Sequence, residues 1–229
     1  MKTAFITGAN RGIGLAAAKA LVTHGVHVYL GVRDQTHGLA AATELAQLGQ
    51  VSVIEVNVSS EASVKRAAGA FGKLSDHLDI LVNNAGIMLD RSGNVLELSD
   101  DTFRATMETN VLGPLRMAKA FAPFLKLSET PRIINVSSGG GQLHGEVSTW
   151  APAYCISKTA LNMLTQQLSA ALPEAAVNSV CPGWCHTDMG GAEAPRTPEQ
   201  GADTIVWLAT EAPQSQTCLF FRDRQVIEW

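Results

Sequence analysis

Short apolar runs alternate along the whole chain with longer segments whose apolar residues repeat at helical spacing. The short runs are rich in Val, Ile and Leu and end at glycines or polar turns, which is typical of strands buried on both faces of a parallel sheet. The pattern predicts strands over residues 2–7, 26–32, 51–58, 79–83, 132–136, 175–181 and 218–229, the last with a turn at 222–224. It predicts helices over residues 15–22, 39–48, 62–74, 99–127, 153–172 and 197–210.

This alternation predicts an α/β protein with a single doubly wound (Rossmann-type) parallel sheet of about seven strands and helices on both faces. No linker, low-complexity segment or internal repeat interrupts it, so we interpret residues 1–229 as one domain. Open sheets of this kind bind ligands beyond the carboxyl ends of their strands. The residues that follow each predicted strand are therefore the candidates for chemistry.

Composition narrows the classes of partner. Of the 229 residues, 46% are hydrophobic and 17% are charged, and the formal net charge is -4. The 17 Lys and Arg residues form no basic run of the kind that binds nucleic acid. The first residues reach Gly8 too soon for a signal-peptide core, and no apolar stretch approaches the length of a membrane span. We expect a cytoplasmic protein that binds small molecules, with neither nucleic acid nor membrane as a partner.

The four cysteines are too few and too irregularly spaced to predict a disulfide framework. Cys181, Cys185 and His186 lie close together in the sequence and could be read as metal ligands. Two thiols and one imidazole make an incomplete metal site, however. We favour buried or incidental thiols and predict no metal.

A glycine-rich turn joins the first predicted strand to the first helix. Glycines let the backbone turn tightly and approach a pyrophosphate, while the free amides at the start of the helix supply donors and a positive dipole end. The position between a strand and a helix favours a dinucleotide site over the alternative, a plain tight turn. The candidate cofactor contacts in this turn are Gly8, Asn10, Arg11, Gly12, Ile13 and Gly14.

The end of the second predicted strand bears on the choice of cofactor. A carboxylate there would bind the 2′-hydroxyl of an adenine ribose, whereas a guanidinium can clamp a 2′-phosphate. The chain offers Arg33, with Arg11 as a second nearby cation, and this favours NADP over NAD. The alternative is that both arginines are solvated loop residues, and Asp34 speaks for NAD.

Small residues close the fourth predicted strand, where Asn84, Ala85 and Gly86 leave room for a cofactor. A polar turn without a ligand is the alternative. At the carboxyl end of the fifth strand, Ser138 places a hydroxyl beside the same crevice.

Tyr154 and Lys158 are four residues apart in the predicted helix 153–172, so their side chains share one face. A tyrosine is ordinarily protonated to about pH 10, and a nearby cation favours the phenolate. The pair is therefore a candidate general acid or base, although this spacing also occurs by chance. In the preceding long helix Pro114 lacks the N–H that would bond the carbonyl of Asn110, which leaves that oxygen available to a water. A kinked packing helix explains the same spacing.

Taken in order, these motifs resemble the short-chain dehydrogenase/reductase family, and most closely its carbonyl-reductase-like members. The resemblance covers essentially the whole chain. It rests on Thr7-Gly8 through Gly14, Asn83 to Gly86, Asn110, Ser138, Tyr154 with Lys158, and Pro182-Gly183 followed by Thr187.

The resemblance implies roles for these residues. Tyr154 would donate the proton and Ser138 would hold and polarise the substrate carbonyl. Lys158 would lower the pKa of the tyrosine and bind the nicotinamide ribose, and Asn110 would hold a water that links Lys158 to solvent. Thr187 would bind the nicotinamide carboxamide, beside cofactor contacts at Pro182 and Gly183.

The chain also departs from the family pattern. Asn57 and Val58 stand where an aspartate usually contacts the adenine, and an amide can still donate and accept there. The stretch from Met189 to Thr197 is short for a lid, so we expect an open pocket that tolerates bulky ketones. The gap between Ser138 and Tyr154 lacks the long insertion that keeps some carbonyl reductases monomeric. We therefore expect a homodimer or homotetramer that pairs through the helices of Asn110 and Tyr154.

We predict an enzyme that reduces a ketone or aldehyde with NADP(H) as its cofactor, acting on a small carbonyl or alcohol substrate of apolar or aromatic character. The residues that suggest this character flank the predicted site, although each could serve packing alone. They are Met88, His144, Trp150, Trp184 and Met189. Two alternatives remain at this point: an NAD-dependent alcohol dehydrogenase of the same fold, and a non-catalytic dinucleotide-binding sensor or scaffold.

Overall fold

The strands and helices of the protein alternate as the sequence predicts. The structure is a computed structural model that describes residues 1–90, 93–145 and 148–229. Its strands are β1 (Thr3–Thr7), β2 (His27–Val32), β3 (Val51–Glu55), β4 (Ile80–Asn83), β5 (Arg132–Val136), β6 (Ala176–Val180), β7 (Phe220–Arg222) and β8 (Gln225–Ile227). Its α-helices are α1 (Gly12–Thr23), α2 (Gln35–Leu45), α3 (Glu61–Phe71), α4 (Asp100–Met107), α5 (Gly113–Leu125), α6 (Pro152–Ala171) and α7 (Pro198–Thr210).

The described strands form a single sheet in the order β3-β2-β1-β4-β5-β6-β7-β8. Every neighbouring pair is parallel except the last, in which β8 runs antiparallel to β7. The order reverses direction between β1 and β4, the kind of switch point beside which doubly wound sheets bind ligands. The predicted Rossmann-type fold is thereby confirmed.

The closing segment differs from the prediction in its number of strands. It is a hairpin of two short strands, so the sheet has eight strands instead of about seven. The turn lies where the sequence predicts it, with Asp223 and Arg224 at φ of 51° and 60°. Two successive residues in the left-handed region give the turn a twist that suits a tight hairpin.

The predicted helix 99–127 is divided into α4 and α5 by a π-helical turn at Glu108–Leu112. Ser99 caps α4 by accepting a hydrogen bond from the Thr102 amide. Pro114 lies in the first turn of α5, where the missing proline N–H is tolerated. The π-helical turn contains Asn110 and sets the direction of its side chain.

Helices cover both faces of the sheet and bury two hydrophobic clusters. On one face, aliphatic residues of α1, α2 and α7 pack on the strands. On the other face α3 and α5 enclose an aromatic cluster in which the Phe5 and Phe121 rings are 4.7 Å apart. The carboxyl ends of the strands remain uncovered between these layers. Among the described residues, no helix is both long and apolar enough to cross a membrane.

Candidate active site

A large cleft of about 1280 Å³ runs along the carboxyl ends of the strands. It brings together nearly all the residues that the sequence predicts for the site. The predicted residues that line it are Gly8, Asn10, Arg11, Gly12, Ile13, Arg33, Asn57, Val58, Asn84, Ala85, Gly86, Ser138, Tyr154, Lys158, Pro182, Gly183 and Thr187. Gly14 and Asn110 lie behind the cleft wall instead.

The glycine turn forms one wall of this cleft. Gly8 and Gly12 have φ of +66° and +54°, a left-handed conformation that favours glycine. A β-carbon on Gly14 would stand only 2.4 Å from the Gly8 carbonyl oxygen. Gly14 therefore lets α1 pack closely against the turn and is not itself a surface of the cleft. Together the glycines leave an open backbone cradle at the start of α1, which fits a pyrophosphate.

Asn84 braces this turn against β4. Its Nδ2 donates to the backbone oxygens of Thr7 and Gly8 at 2.9 and 3.1 Å. The Thr7 hydroxyl oxygen in turn accepts from the amides of Asn84 and Ala85, both at 3.0 Å. The sequence analysis assigned Thr7 no role, although its position directly before Gly8 is a signal for one. The predicted binding residues here thus also fix the shape of the turn.

At the end of the cleft where an adenine is predicted to bind, Arg33 and its acidic neighbour Asp34 make different contacts. The Asp34 carboxylate caps α2 by accepting from the Thr36 amide at 2.8 Å, and it lies 3.3 Å from the His37 ring. These contacts lower the pKa of Asp34, the Thr36 hydrogen bond most. The Arg33 side chain is exposed, lines the cleft and has no ion pair or hydrogen bond within the part of the chain that the structure describes.

Arg11 is not the free second cation that the sequence suggested. Its guanidinium forms an ion pair with Asp188, across the mouth of the cleft. An added β-carbon on Gly12 would lie 3.2 Å from Cγ2 of Thr187, which shows how closely the two loops face each other. The Arg11 charge is thus already balanced by a carboxylate.

Tyr154 is buried in the cleft, at 8% exposure, and the side chain of Ser138 lies beside its hydroxyl. The Trp150 ring lies beside it, with centroids 5.8 Å apart. Burial raises the pKa of Tyr154 to about 12, and the neighbouring Ser138 side chain opposes this rise only in part. The phenol therefore stays protonated at neutral pH, as a proton donor must.

Lys158 lies behind the tyrosine, and its ammonium has a different partner from the predicted one. Its Nζ donates to the backbone oxygen of Val136 at 2.8 Å and lies 5.4 Å from the centroid of the Tyr154 ring. Burial lowers the pKa of Lys158 to about 8. The pKa of Tyr154 is raised, with burial of the phenol as the largest cause, so the predicted lowering by this lysine is not seen in this geometry.

The buried lysine predicts a pH dependence of stability. Its pKa is about 8 in the folded chain against an ordinary 10.5, so between these values the unfolded chain binds more protons. The free energy of unfolding should therefore rise with pH across this window, by about 3 kcal/mol for this group. Urea unfolding of the wild type and of Lys158→Met at pH 7.5 and 10 measures the difference, and the wild type should gain on the variant.

Exposed Lys19 on α1 provides the control, because Lys19→Met should follow the pH profile of the wild type. The quantity to compare is the rise in the free energy of unfolding between pH 7.5 and 10, and not the constant difference between wild type and Lys158→Met. The lost hydrogen bond to Val136 shifts the offset at every pH. If the free energy of unfolding changed with pH in the same way for wild type and Lys158→Met, the lowered pKa of Lys158 would be contradicted.

Asn110 holds the wall behind the acid-base pair. Its Oδ1 accepts from the Ile87 amide at 2.8 Å, and its Nδ2 donates to the Ile87 oxygen and the Ser157 hydroxyl, both at 2.9 Å. Ser157 donates to the Tyr154 backbone oxygen at 2.7 Å and so joins the two helices. Sequence reasoning missed Ser157, for which the spacing gives no signal. With both Nδ2 hydrogens engaged, Asn110 could bind a water through its backbone carbonyl or the second lone pair of Oδ1.

The substrate end of the cleft is open and partly aromatic. Four of the five predicted flanking residues line it, namely Met88, Trp150, Trp184 and Met189. Two of them are exposed, Trp150 at 48% and Trp184 at 56%. His144 is exposed outside the cleft, where its amide donates to the Trp229 oxygen at 3.1 Å. The four cysteines are free thiols, and no group of potential metal ligands occurs among the described residues.

A glycine cradle at the switch point of a doubly wound sheet, with Ser, Tyr and Lys side chains around one cleft, defines a class of dinucleotide-dependent oxidoreductases. A family model described as short chain dehydrogenase matches residues 2–197. The chain belongs to the short-chain dehydrogenase family, which confirms the resemblance seen in the sequence.

Similar proteins extend over nearly the whole chain. A (+)-neomenthol dehydrogenase of Arabidopsis thaliana is 32% identical and covers 99% of this chain and 97% of the plant protein. That alignment spans 295 positions, more than the 229 residues here, so the plant protein carries segments that this chain lacks.

Among solved structures, the NADPH-bound carbonyl reductase from chicken fatty liver has a TM-score of 0.89 at 26% identity and covers 100% of this chain and 99% of that one. The carbonyl reductase Sniffer of D. melanogaster has a TM-score of 0.89 at 27% identity and covers 100% of both chains.

Proposed function

We propose that this oxidoreductase reduces the carbonyl of a ketone or aldehyde to an alcohol with NADPH, and that Tyr154 is its general acid and base. The observation that carries the proposal is the buried, protonated Tyr154 hydroxyl, which lies beside Ser138 in the same cleft. A carbonyl that becomes an alkoxide needs a proton at its oxygen and a donor that stabilises its charge. The two hydroxyls supply both.

The cleft fits a nicotinamide dinucleotide. The turn of Gly8 and Gly12 would take the pyrophosphate at the start of α1, and Gly14 behind it lets the helix pack closely against the turn. Pro182, Gly183 and Thr187 would hold the nicotinamide end, and Asn57 and Val58 the adenine. Bound NADPH supplies the hydride for the reduction.

The residues of the chain would then divide the remaining work. Ser138 holds the substrate oxygen, and Tyr154 gives its phenolic proton to that oxygen. Below pH 8 the Lys158 ammonium carries a positive charge behind the phenol, and this charge favours the phenolate that remains after proton transfer. Asn110 fixes α6 in position through Ser157, so the tyrosine keeps its place during the reaction.

The preference for NADP over NAD rests on Arg33. Its guanidinium lines the adenine end of the cleft without a carboxylate partner among the described residues, whereas Asp34 is committed to the start of α2. A free fork of N–H donors suits a 2′-phosphate. The similar solved structures include the NADPH-bound carbonyl reductase from chicken fatty liver. An NAD-dependent alcohol dehydrogenase would need the Asp34 carboxylate turned toward the ribose.

A panel of aryl and alkyl ketones, aldehydes and quinones tests the proposal. Consumption of NADPH and of NADH is followed by the near-ultraviolet absorbance of the reduced nicotinamide. We expect rapid oxidation of NADPH with aryl ketones, because Trp150 and Trp184 border the substrate end of the cleft. Binding of NADPH without turnover of any carbonyl would instead favour a non-catalytic sensor or scaffold.

A further inference from the structure

Arg222 lies at the substrate end of the cleft, and the proposed reaction does not use it. Arg222 is the last residue of β7 and lines the cleft together with Ser138, Gly139 and Tyr154. The parallel pairing of β6 and β7 places it beside Cys181, the residue that follows β6. The topology thus brings a guanidinium to the carboxyl end of the strands that carry the acid-base group.

Glycine at position 139 makes room for this guanidinium. A β-carbon on Gly139 would stand 2.5 Å from Nη2 of Arg222. Ser138, the predicted carbonyl-binding residue, directly precedes this glycine. Any larger residue at position 139 would displace the arginine from its place beside Ser138.

The polar partners of Arg222 leave its charge unbalanced. Its Nε and Nη2 donate to Sγ of Cys181 at 3.3 and 3.1 Å, and the Gly139 amide donates to the same sulfur at 3.1 Å. A thiol is a weak acceptor compared with a carboxylate. No carboxylate of the described residues lies within ion-pair distance of Arg222, and Nη1 has no hydrogen-bond partner among them.

Neighbouring arginines differ in this respect. Arg196, which also lines the cleft, pairs with Asp223 at 2.6 Å, and Arg224 pairs with Asp203 at 2.5 Å. The acidic residue next to Arg222 is therefore already bound to another cation. Arg222 is left as a guanidinium that faces the cleft and can accept an anionic partner.

We propose that Arg222 binds the carboxylate of the substrate, so that the preferred substrates are carbonyl compounds that carry a carboxylate group near the carbonyl. This inference rests on the proposed function, since it concerns the substrate of the same site. The free Nη1 and the Nη2 group can form charge-assisted hydrogen bonds to a carboxylate. Trp150 and Trp184 contact the apolar body of the molecule, while Ser138 holds its carbonyl oxygen. Arg222 determines specificity and takes no part in proton transfer.

The test uses 2-, 3- and 4-acetylbenzoate and their methyl esters, which place a carboxylate at three distances from one ketone. The wild type should favour at least one acid over its ester. Arg222→Gln should raise KM for that acid about 10- to 100-fold, the worth of a charge-assisted hydrogen bond, and leave KM for the ester nearly unchanged. Arg222→Lys should retain part of the preference, since it keeps the charge and loses the planar fork.

Arg224→Gln is the matched control. It removes the same group from the same hairpin, but Arg224 is paired with Asp203 and does not line the cleft. The ratio of its KM for the acid to its KM for the ester should equal that of the wild type. NADPH affinity should be the same in all these proteins, which also confirms that they are folded.

Binding is measured separately from turnover in Tyr154→Phe loaded with NADPH, by quenching of tryptophan fluorescence with each acid and ester. Arg222→Gln in that background should weaken binding of the acid alone. An equal loss for acid and ester, or a loss of NADPH affinity instead, would overturn the carboxylate site. If the carboxylate site is overturned in this way but Arg222→Gln still reduces the esters, the proposed carbonyl reduction stands. If no compound is reduced by the wild type, the proposed function fails, and the binding measurement still decides about Arg222.

Discussion

Replacing Tyr154 with phenylalanine is expected to lower the rate of carbonyl reduction by about a thousandfold, the usual worth of a positioned general acid. The substitution removes only the hydroxyl beside Ser138 and leaves a ring of the same shape beside Trp150. Because burial keeps this phenol protonated, it is the proton source that the geometry provides. Steady-state kinetics with a reactive aryl ketone measures the rate, and fluorescence titration with NADPH should give an affinity close to that of the wild type.

The chain contains one other tyrosine, which makes a matched control. Tyr29 is buried in β2 within the aromatic cluster, where its hydroxyl donates to the Leu74 backbone oxygen at 3.5 Å, and it does not line the cleft. Tyr29→Phe should retain nearly full activity. If Tyr154→Phe kept more than about a tenth of the wild-type rate, another group would have to supply the proton.

Arg33→Asp should reverse the choice of cofactor. The substitution replaces a guanidinium that lines the adenine end of the cleft with a carboxylate, which repels a 2′-phosphate and can accept from a 2′-hydroxyl. We expect NADPH to bind about 100- to 1000-fold more weakly, since a phosphate contact is lost and a like charge is added. NADH affinity should change little or improve. Direct titration of both dinucleotides measures the effect without reliance on turnover.

Arg66→Asp makes the same change of charge on the exposed face of α3, away from the cofactor cleft. It should leave the ratio of NADPH to NADH affinity as in the wild type. Equal losses for both cofactors in Arg33→Asp would show that Arg33 does not read the 2′-phosphate. Arg11 would then be the next residue to test, although its ion pair with Asp188 makes it less available.

Local pattern predicted most of the fold because buried parallel strands and amphipathic helices leave distinct periodicities. It could not detect the π-helical turn within 99–127, since one extra residue per turn hardly changes a pattern of apolar positions. Pro114 was the only hint. The pattern placed the turn at 222–224 correctly but counted the closing segment as one strand, where the structure has the two short strands β7 and β8.

The site residues could be placed at the correct end of the sheet from their positions after each strand. Their ion pairs and hydrogen-bond partners could not be predicted, because these partners are distant in sequence. The Val136 oxygen that takes the Lys158 ammonium lies 22 residues away, and Asp188 lies 177 residues from Arg11. Helical spacing correctly put Tyr154 and Lys158 on one face, yet burial sets the pKa of the phenol. The association of chains through α5 and α6 stays a prediction.

The most direct test of the central claim follows the hydride. The wild type is incubated with an aryl ketone and NADPH that carries deuterium at the reactive C4 position, and the alcohol is analysed by mass spectrometry. The proposed reaction predicts one deuterium on the carbinol carbon of every product molecule, and formation of this product about a thousandfold slower with Tyr154→Phe. NADPH consumption without a deuterated alcohol would contradict carbonyl reduction at this site.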